Sequence, residues 1–105
     1  MMKYELRATY DGRKSFYGKA TVTEYRTGEK ILRSYNTDVA RITADGSFLR
    51  TWAGWSATTA RHVNEFRRQN GFAALSKKEW EQLPVSEISM MHDVVELLEE
   101  YGKLA

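Results

Sequence analysis

The first half of the chain is divided into short runs in which apolar and polar residues alternate, each ending at a turn signal. The alternating runs span residues 3–10, 15–25, 30–35, 39–43 and 48–52. Successive side chains of a strand point to opposite faces, so a period of two indicates half-buried β-strands. The connections are short and include Asp-Gly and Thr-Gly pairs, whereas parallel strands would need long crossovers. We therefore predict an antiparallel sheet of about five short strands.

After Trp55 the apolar period changes to that of a helix, with apolar residues three or four positions apart. The spacing predicts a first helix over 57–70. Either Ser56 or Thr58 is suited to its N-cap position, because a hydroxyl there accepts a hydrogen bond from a free backbone N–H of the first turn. Gly71 is the expected stop signal, since glycine readily adopts the left-handed conformation that ends many helices.

A second helix over about 77–83 has the clearest local signature in the chain. Ser76 and Glu79 have the spacing of a capping box, in which each side chain bonds the backbone N–H of the other residue. Leu75 and Trp80 fit the hydrophobic staple that flanks such a box. The only proline of the chain follows and ends the segment.

A third helix is predicted over 87–101, where apolar residues again recur at helical spacing before a glycine. Helices must cover the apolar side of the sheet, so we expect all three to pack on one of its faces. The fold class is then α+β, with a sheet over about 3–53 followed by helices. No repeat, linker or low-complexity tract divides the sequence, which predicts a single domain over 1–105.

Composition limits the chemistry and the compartment. The 105 residues include no cysteine, which excludes disulfides, thiolate nucleophiles and cysteine-ligated zinc. No apolar stretch approaches the length of a membrane span, and charged residues interrupt the N-terminal segment where a signal peptide would be apolar. We expect a cytoplasmic protein that has no contact with a membrane.

The charge is unevenly distributed along the sequence. Residues 1–72 carry 13 basic and 7 acidic side chains, whereas residues 73–105 carry 3 basic and 7 acidic ones. Opposite potentials at two ends of a small domain can steer it onto a charged partner and fix its orientation.

Two charged stripes are candidate partner-binding surfaces, and a solvated helix face is the plainer explanation of each. The basic stripe lies on the first helix and consists of Arg61, Asn64 and Arg68. The acidic stripe lies on the third helix and consists of Asp93, Glu96 and Glu100. The sequence does not choose between them. The apolar face of the third helix also allows a homodimer instead of a monomer.

A candidate nucleic-acid surface combines basic and aromatic residues on the sheet face away from the helices. Single-strand binders use this combination, because bases stack on rings while phosphates meet cations. Tyrosines are also ordinary residues of a solvent-facing sheet, so the pattern has a purely structural alternative. The candidate residues are Tyr17, Lys19, Tyr25, Arg33 and Tyr35.

Neither catalysis nor metal binding is expected. Hydroxyls and a histidine meet at the start of the first helix, at Thr58, Thr59 and His62, but helix capping accounts for such hydroxyls. The two histidines of the chain, His62 and His92, lack further ligands at a recognisable metal-site spacing. The sequence therefore predicts a protein without enzymatic turnover, cofactor or metal.

Two segments resemble a family of small uncharacterised proteins carried by phages, plasmids and other mobile elements of Gram-positive bacteria. The likeness covers about residues 3–80 and has two recurring elements, S-Y-x-T-x-V-A-x-I and S-x-T-T-x-R-H-x-x-E-F. In this chain the matching residues are Ser34, Tyr35, Thr37, Val39, Ala40, Ile42, Ser56, Thr58, Thr59, Arg61, His62, Glu65 and Phe66.

The resemblance implies a biological setting but no chemical activity, since no functional residue is known for such a family that could be assigned to this chain. Small non-enzymatic proteins of mobile elements commonly bind a host or competing machine, and inhibitors of CRISPR nucleases are one such class. We therefore expect a module that binds a larger nucleic-acid-handling protein, such as a CRISPR effector. The alternative is an accessory protein that binds nucleic acid directly through the exposed sheet face.

Overall fold

Five antiparallel strands in chain order form one sheet, and two helices follow it in the part of the chain that the structure describes. The computed structural model describes residues 1–9 and 18–86. The strands are β1 (Met2–Glu5), β2 (Ala20–Glu24), β3 (Lys30–Ser34), β4 (Thr37–Ile42) and β5 (Phe48–Arg50), and the helices are α1 (Ala57–Gln69) and α2 (Lys77–Gln82). The α+β class and the antiparallel sheet are thus confirmed. The predicted third helix over 87–101 lies outside the described residues.

The hairpin between β3 and β4 differs from the prediction, which placed a turn over 36–38. The turn is formed by Tyr35 and Asn36, and Thr37 already belongs to β4. Tyr35 has a φ of 54°, a conformation that bulky residues rarely adopt. Two-residue hairpins need a positive φ at the first turn position to match the strand twist, and here a tyrosine supplies it.

The main core lies between the helices and one face of the sheet. Val22, Leu32 and Ala40 stand opposite one another on β2, β3 and β4 and are fully buried. Phe66 of α1 and Trp80 of α2 belong to the same core cluster. The predicted packing of helices on one sheet face is therefore observed for α1 and α2.

The other face of the sheet, which we call the back face, is also partly buried. Ile31 lies there, because it alternates with the core residue Leu32. Beside it, Arg41 and Glu29 form a buried ion pair with Nε–Oε1 and Nη2–Oε2 distances of 2.7 and 2.8 Å. Tyr25 is only 3% exposed, although we expected it on an open surface. Alternation identified its face correctly but not the burial of that face.

Both helices begin and end as their sequences indicate. Ser56 is the N-cap of α1, and its hydroxyl accepts a hydrogen bond from the backbone N–H of Thr59 at 3.1 Å. Gly71 has a φ of 86° just after the helix, and the N–H of Phe72 donates to the carbonyl of Arg67 at 2.8 Å. This pairing is the Schellman motif that glycine permits.

The capping box of α2 is present as predicted. The Ser76 hydroxyl accepts from the N–H of Glu79 at 3.1 Å, and the Glu79 carboxylate accepts from the N–H of Ser76 at 3.0 Å. These hydrogen bonds with Ser76 hold the pKa of Glu79 below its ordinary value. Of the two staple residues, Trp80 belongs to the core cluster and Leu75 packs against it. The start of α2 is therefore fixed relative to α1.

We expect Ser76→Ala to lower the free energy of unfolding by about 1 kcal/mol, the usual effect of removing a serine N-cap. The substitution leaves the N–H of Glu79 without its hydroxyl acceptor. Urea denaturation measures the loss, with Lys78→Ala on the exposed side of the same helix as the control. Equal stability of the two variants would show that the cap contributes nothing.

No helix in residues 1–9 and 18–86 has the length and apolar character needed to cross a membrane.

Candidate functional site

An apolar groove lies between the loop after β5, the first turns of α1, and α2. We call it the tryptophan groove, because all three tryptophans of the chain line it. Its volume is about 250 Å³, counting the open space at its mouth. Its lining residues are Trp52, Trp55, Ser56, Thr59, Ala60, Val63, Asn64, Leu75 and Trp80.

The floor of the groove depends on a glycine. A Cβ at Gly54 would come within 3.0 Å of three atoms of the Trp52 indole, so that ring lies directly against the glycine backbone. The carbonyl of Gly54 accepts a hydrogen bond of 2.8 Å from the indole Nε1 of Trp80. One residue thus positions two tryptophans. The segment Trp-Ala-Gly-Trp at 52–55 is a local signal for this arrangement, and our sequence reasoning missed it.

Gly54→Ala is expected to destabilise the protein by about 1–3 kcal/mol, the usual range for an atom forced into a packed site. The added methyl must displace the rigid ring of Trp52. Near-ultraviolet circular dichroism reports the tryptophan environment, and urea denaturation gives the free energy. Gly46→Ala is not a matched control, because Gly46 has a positive φ; Ala53→Ser, at the exposed neighbouring position, is suitable. An unchanged tryptophan spectrum would contradict the role of Gly54.

Trp55 forms the exposed rim of the groove. Its side chain is 41% exposed, which is unusual for an aromatic residue of this size. The ammonium of Lys77 lies 5.2 Å from the centroid of its ring, a cation–π contact from α2. Lys77 also lies 3.7 Å from the carboxylate of Glu81, and both of these side chains are exposed. The rim therefore combines an aromatic surface with a positive charge.

Asn64 does not point outward with Arg61 and Arg68, as the predicted basic stripe requires. Its amide nitrogen donates to the carbonyl of Leu75 at 3.0 Å, and its amide oxygen accepts from the N–H of Leu75 at 2.8 Å. The connection between the helices folds back along α1 and uses both polar atoms of the side chain. Arg68 is exposed and Arg61 half-buried, so the basic stripe is reduced to two arginines.

The predicted nucleic-acid surface is only partly assembled. Lys19 and Arg33 are exposed, and the Lys19 ammonium lies 6.0 Å from the centroid of the Tyr35 ring. Tyr25, however, is buried, and therefore cannot stack on a base. Arg33 lies on the back face opposite Thr21, and Tyr35 approaches the α1 side, with its ring 6.0 Å from that of His62. The positive φ of Tyr35 explains why the two do not share a face.

Four sequence candidates cannot be placed. Tyr17 and the three residues of the acidic stripe, Asp93, Glu96 and Glu100, lie outside the described residues.

A buried hydroxyl–imidazole cluster joins β3 to α1, and sequence reasoning did not bring its members together. The Ser34 hydroxyl lies 2.7 Å from Nδ1 of His62 and 3.0 Å from the hydroxyl of Thr59. All three residues are buried. Glu65, also buried, accepts hydrogen bonds from the N–H of Thr9 at 3.0 Å and from Gln69 at 2.8 Å.

The recurring sequence motifs therefore include part of the interior of the fold. Four of their polar residues form buried hydrogen bonds and Phe66 belongs to the core, whereas Tyr35 and Thr37 are exposed. The four are Ser34, Thr59, His62 and Glu65. A hydroxyl next to an imidazole is the pairing that activates a nucleophile, but such a pair acts only where a substrate can reach it. Within the described part of the chain, no three His, Asp or Glu side chains form a group that could hold a metal ion.

Comparison with known proteins gives one family and no closer relative. No curated protein and no solved structure matches the chain. The profile of DUF8033, a family of unknown function, matches residues 4–82. The matched part includes the end of β1, strands β2 to β5, both helices and the whole lining of the tryptophan groove, and it ends before the acidic stripe. On this match, which covers most of its length, the chain belongs to the DUF8033 family of unknown function.

Proposed function

We propose that the chain is a non-enzymatic protein-binding module whose contact surface is the tryptophan groove. The observation that carries the proposal is the exposure of Trp55 at the rim of an apolar groove. Tryptophan is enriched among the residues that dominate the energy of protein interfaces, especially where it borders a well-packed pocket. A partner that docks there removes the apolar surface of Trp55 from water, which favours binding.

The rigidity of the groove supports binding rather than further core packing. Gly54 positions Trp52 and Trp80, and the Asn64 amide fixes Leu75 on the opposite wall. A preformed surface loses little conformational entropy when a partner docks. The volume of about 250 Å³ includes the open space at the mouth, so the groove is an open apolar surface and not an enclosed small-molecule cavity. Such a surface suits contact with a side chain of a protein partner.

The absence of turnover is part of the proposal. The Ser34–His62 pair has the distance of a nucleophile and its base, but its burial removes it from any substrate. The hydrogen bond between Ser34 and His62 also has a structural explanation that involves no catalysis, because buried polar groups need hydrogen-bond partners.

The biological setting that we propose comes from the motif resemblance: a mobile element of Gram-positive bacteria, such as a phage or plasmid. In that setting the partner is a larger nucleic-acid-handling protein, and a CRISPR effector nuclease stays our prediction for it.

Site-specific photo-crosslinking tests this function. A photoreactive phenylalanine analogue replaces Ala57, which is exposed beside the groove residue Ser56, and in a control it replaces the exposed Lys3 on β1. Both proteins are irradiated in lysate of a Gram-positive bacterium, with and without a guide-loaded CRISPR nuclease. We expect a protein adduct from position 57 only, lost with Trp55→Ala. No adduct, or the same adduct from both positions, would refute the groove as the contact surface.

A second candidate function is direct nucleic-acid binding at the end of the sheet where Lys19 lies over the exposed ring of Tyr35. The pair offers a stacking surface and a phosphate contact. Arg33 adds a charge, but its Nε lies 3.9 Å from the Asp38 carboxylate, which offsets it. Titration of single-stranded DNA across a salt series tests the proposal, because phosphate contacts weaken as salt rises. Binding unaffected by Lys19→Glu with Arg33→Glu would remove it.

A further inference from the structure

We propose that the tryptophan groove recognises an acidic peptide segment of its partner, with one apolar side chain inserted between the tryptophans and flanking carboxylates at the basic rim. The inference rests on the proposed function, because it specifies the chemistry of the same site. It rests on three observations: the lining residues are uncharged, the walls carry basic side chains, and the nearby carboxylates already have contacts within the protein.

The lining selects an apolar side chain. None of the nine lining residues carries a charge, and their polar atoms are largely used within the fold. Asn64 binds the backbone of Leu75, the Ser56 hydroxyl caps α1, and the Trp80 indole binds Gly54. An inserted charge would have to give up water without gaining a hydrogen-bonding partner, whereas an apolar side chain gains from leaving water.

Both helices that form the walls carry basic side chains. Lys77 lies over the rim tryptophan from α2, and α1 carries the exposed Arg68 and the half-buried Arg61. The only carboxylate of α1 is Glu65, which is buried and accepts hydrogen bonds from Thr9 and Gln69. The solvent-facing surface of α1 therefore carries arginines and no carboxylate, which matches a negatively charged partner.

Both carboxylates of α2 already have contacts within the helix. The Glu79 carboxylate accepts a hydrogen bond from the N–H of Ser76 in the capping box, and the Glu79 N–H donates to the Ser76 hydroxyl. Glu81 lies 3.7 Å from the Lys77 ammonium in an exposed i,i+4 pair. Exposed pairs of this kind contribute little free energy, so a carboxylate of the partner can replace Glu81 at Lys77.

Three fluorescent peptides of equal length provide the probes. The first has a central leucine flanked by aspartate and glutamate, the second has the same leucine flanked by lysine and arginine, and the third has the acidic flanks with serine in place of leucine. Fluorescence anisotropy with the whole 105-residue chain measures their affinities at low and high salt. We expect only the first peptide to bind well, and its affinity to fall as salt rises.

Variants separate the anchor from the charges. Trp55→Ala is expected to weaken the acidic leucine peptide by about thirtyfold, as for a tryptophan that dominates an interface. Lys77→Glu with Arg61→Glu should weaken it by about tenfold. The matched control is Lys3→Glu with Arg26→Glu, which changes the net charge equally at exposed positions of β1 and the β2–β3 turn and should leave affinity within about twofold. The indole signal of Trp80 in NMR spectra confirms that each variant keeps the groove folded.

The other outcomes overturn the inference. Equal or tighter binding of the basic peptide shows that charge does not select the partner, and equal binding of the serine peptide shows that no apolar anchor is inserted. If no peptide binds, the acidic-segment chemistry is refuted, while the crosslink from position 57 independently decides whether the groove contacts a protein. Sedimentation tests another occupant: a dimer of the chain that Trp55→Ala dissociates would assign the groove to a second copy and overturn the inference.

Discussion

Arg50→Ala is expected to lower the free energy of unfolding by about 3–5 kcal/mol, because several carbonyls lose their donor and each unsatisfied buried group costs about 1–3 kcal/mol. Arg50 is only 6% exposed, at the end of β5. Its guanidinium donates to the carbonyl oxygens of Trp52, Ala53, Trp80, Glu81 and Leu83 at 2.6–3.4 Å. Removing it leaves these buried or half-buried acceptors without their donor, which costs far more than one hydrogen bond.

The shape of the guanidinium explains why an arginine is required. Its donors form a rigid planar fork that reaches the loop after β5 and the end of α2 at the same time, and its Cζ atom lies 4.9 Å from the Trp80 ring centroid. Lysine carries the same charge on a compact ammonium that cannot span both segments. Arg50→Lys should therefore restore only a minor part of the stability lost in Arg50→Ala.

Urea denaturation measures both Arg50 variants, with Arg68→Ala as the control. Arg68 is exposed on α1, so its removal should change the free energy of unfolding by no more than about 0.5 kcal/mol. The Trp80 indole signal in NMR spectra should shift in the Arg50 variants, because its neighbouring carbonyls lose their donor. A loss below about 1 kcal/mol in Arg50→Ala would show that water replaces the guanidinium and that Arg50 does not organise the groove.

Local features of the fold could be predicted from the sequence because their causes are local. The capping box at Ser76, the N-cap at Ser56 and the stop at Gly71 depend on residues within one helical turn. The chain-order antiparallel sheet follows in the same way from alternation and short turns. The β3–β4 turn was misplaced because Tyr35 adopts a positive φ, a conformation that its residue type disfavours.

The candidate site could not be predicted, because its parts are distant in the sequence. Trp80 reaches Gly54 across 26 positions, and Asn64 reaches Leu75 across 11. A helical wheel placed Asn64 outward since it contains no information about the connection that folds back along α1. Likewise, strand alternation does not show that the back face is covered as well as the core face, as the burial of both faces of β4 demonstrates. The burial of Tyr25 on the back face was therefore missed.

A double-mutant cycle at the back-face ion pair is expected to show equally large losses of stability in the two single variants but little or no loss in the double variant. Glu29→Leu and Arg41→Met should each lower the free energy of unfolding by about 3–5 kcal/mol, because each leaves one buried charge without its partner. The double variant Glu29→Leu with Arg41→Met should lie close to the unsubstituted protein or be more stable, because two apolar side chains avoid the desolvation cost of both ions.

Urea denaturation of the four proteins gives the coupling energy of the pair. Glu29 and Arg41 meet through two parallel contacts of 2.7 and 2.8 Å, and both side chains are buried, so water is not available to replace either partner. The matched cycle at the exposed pair Lys77 and Glu81 should give a coupling of no more than about 0.5 kcal/mol. Additive losses at Glu29 and Arg41 would contradict a mutual ion pair. Strong coupling would instead identify the pair as a charged contact that positions β4 against the β2–β3 turn without adding net stability.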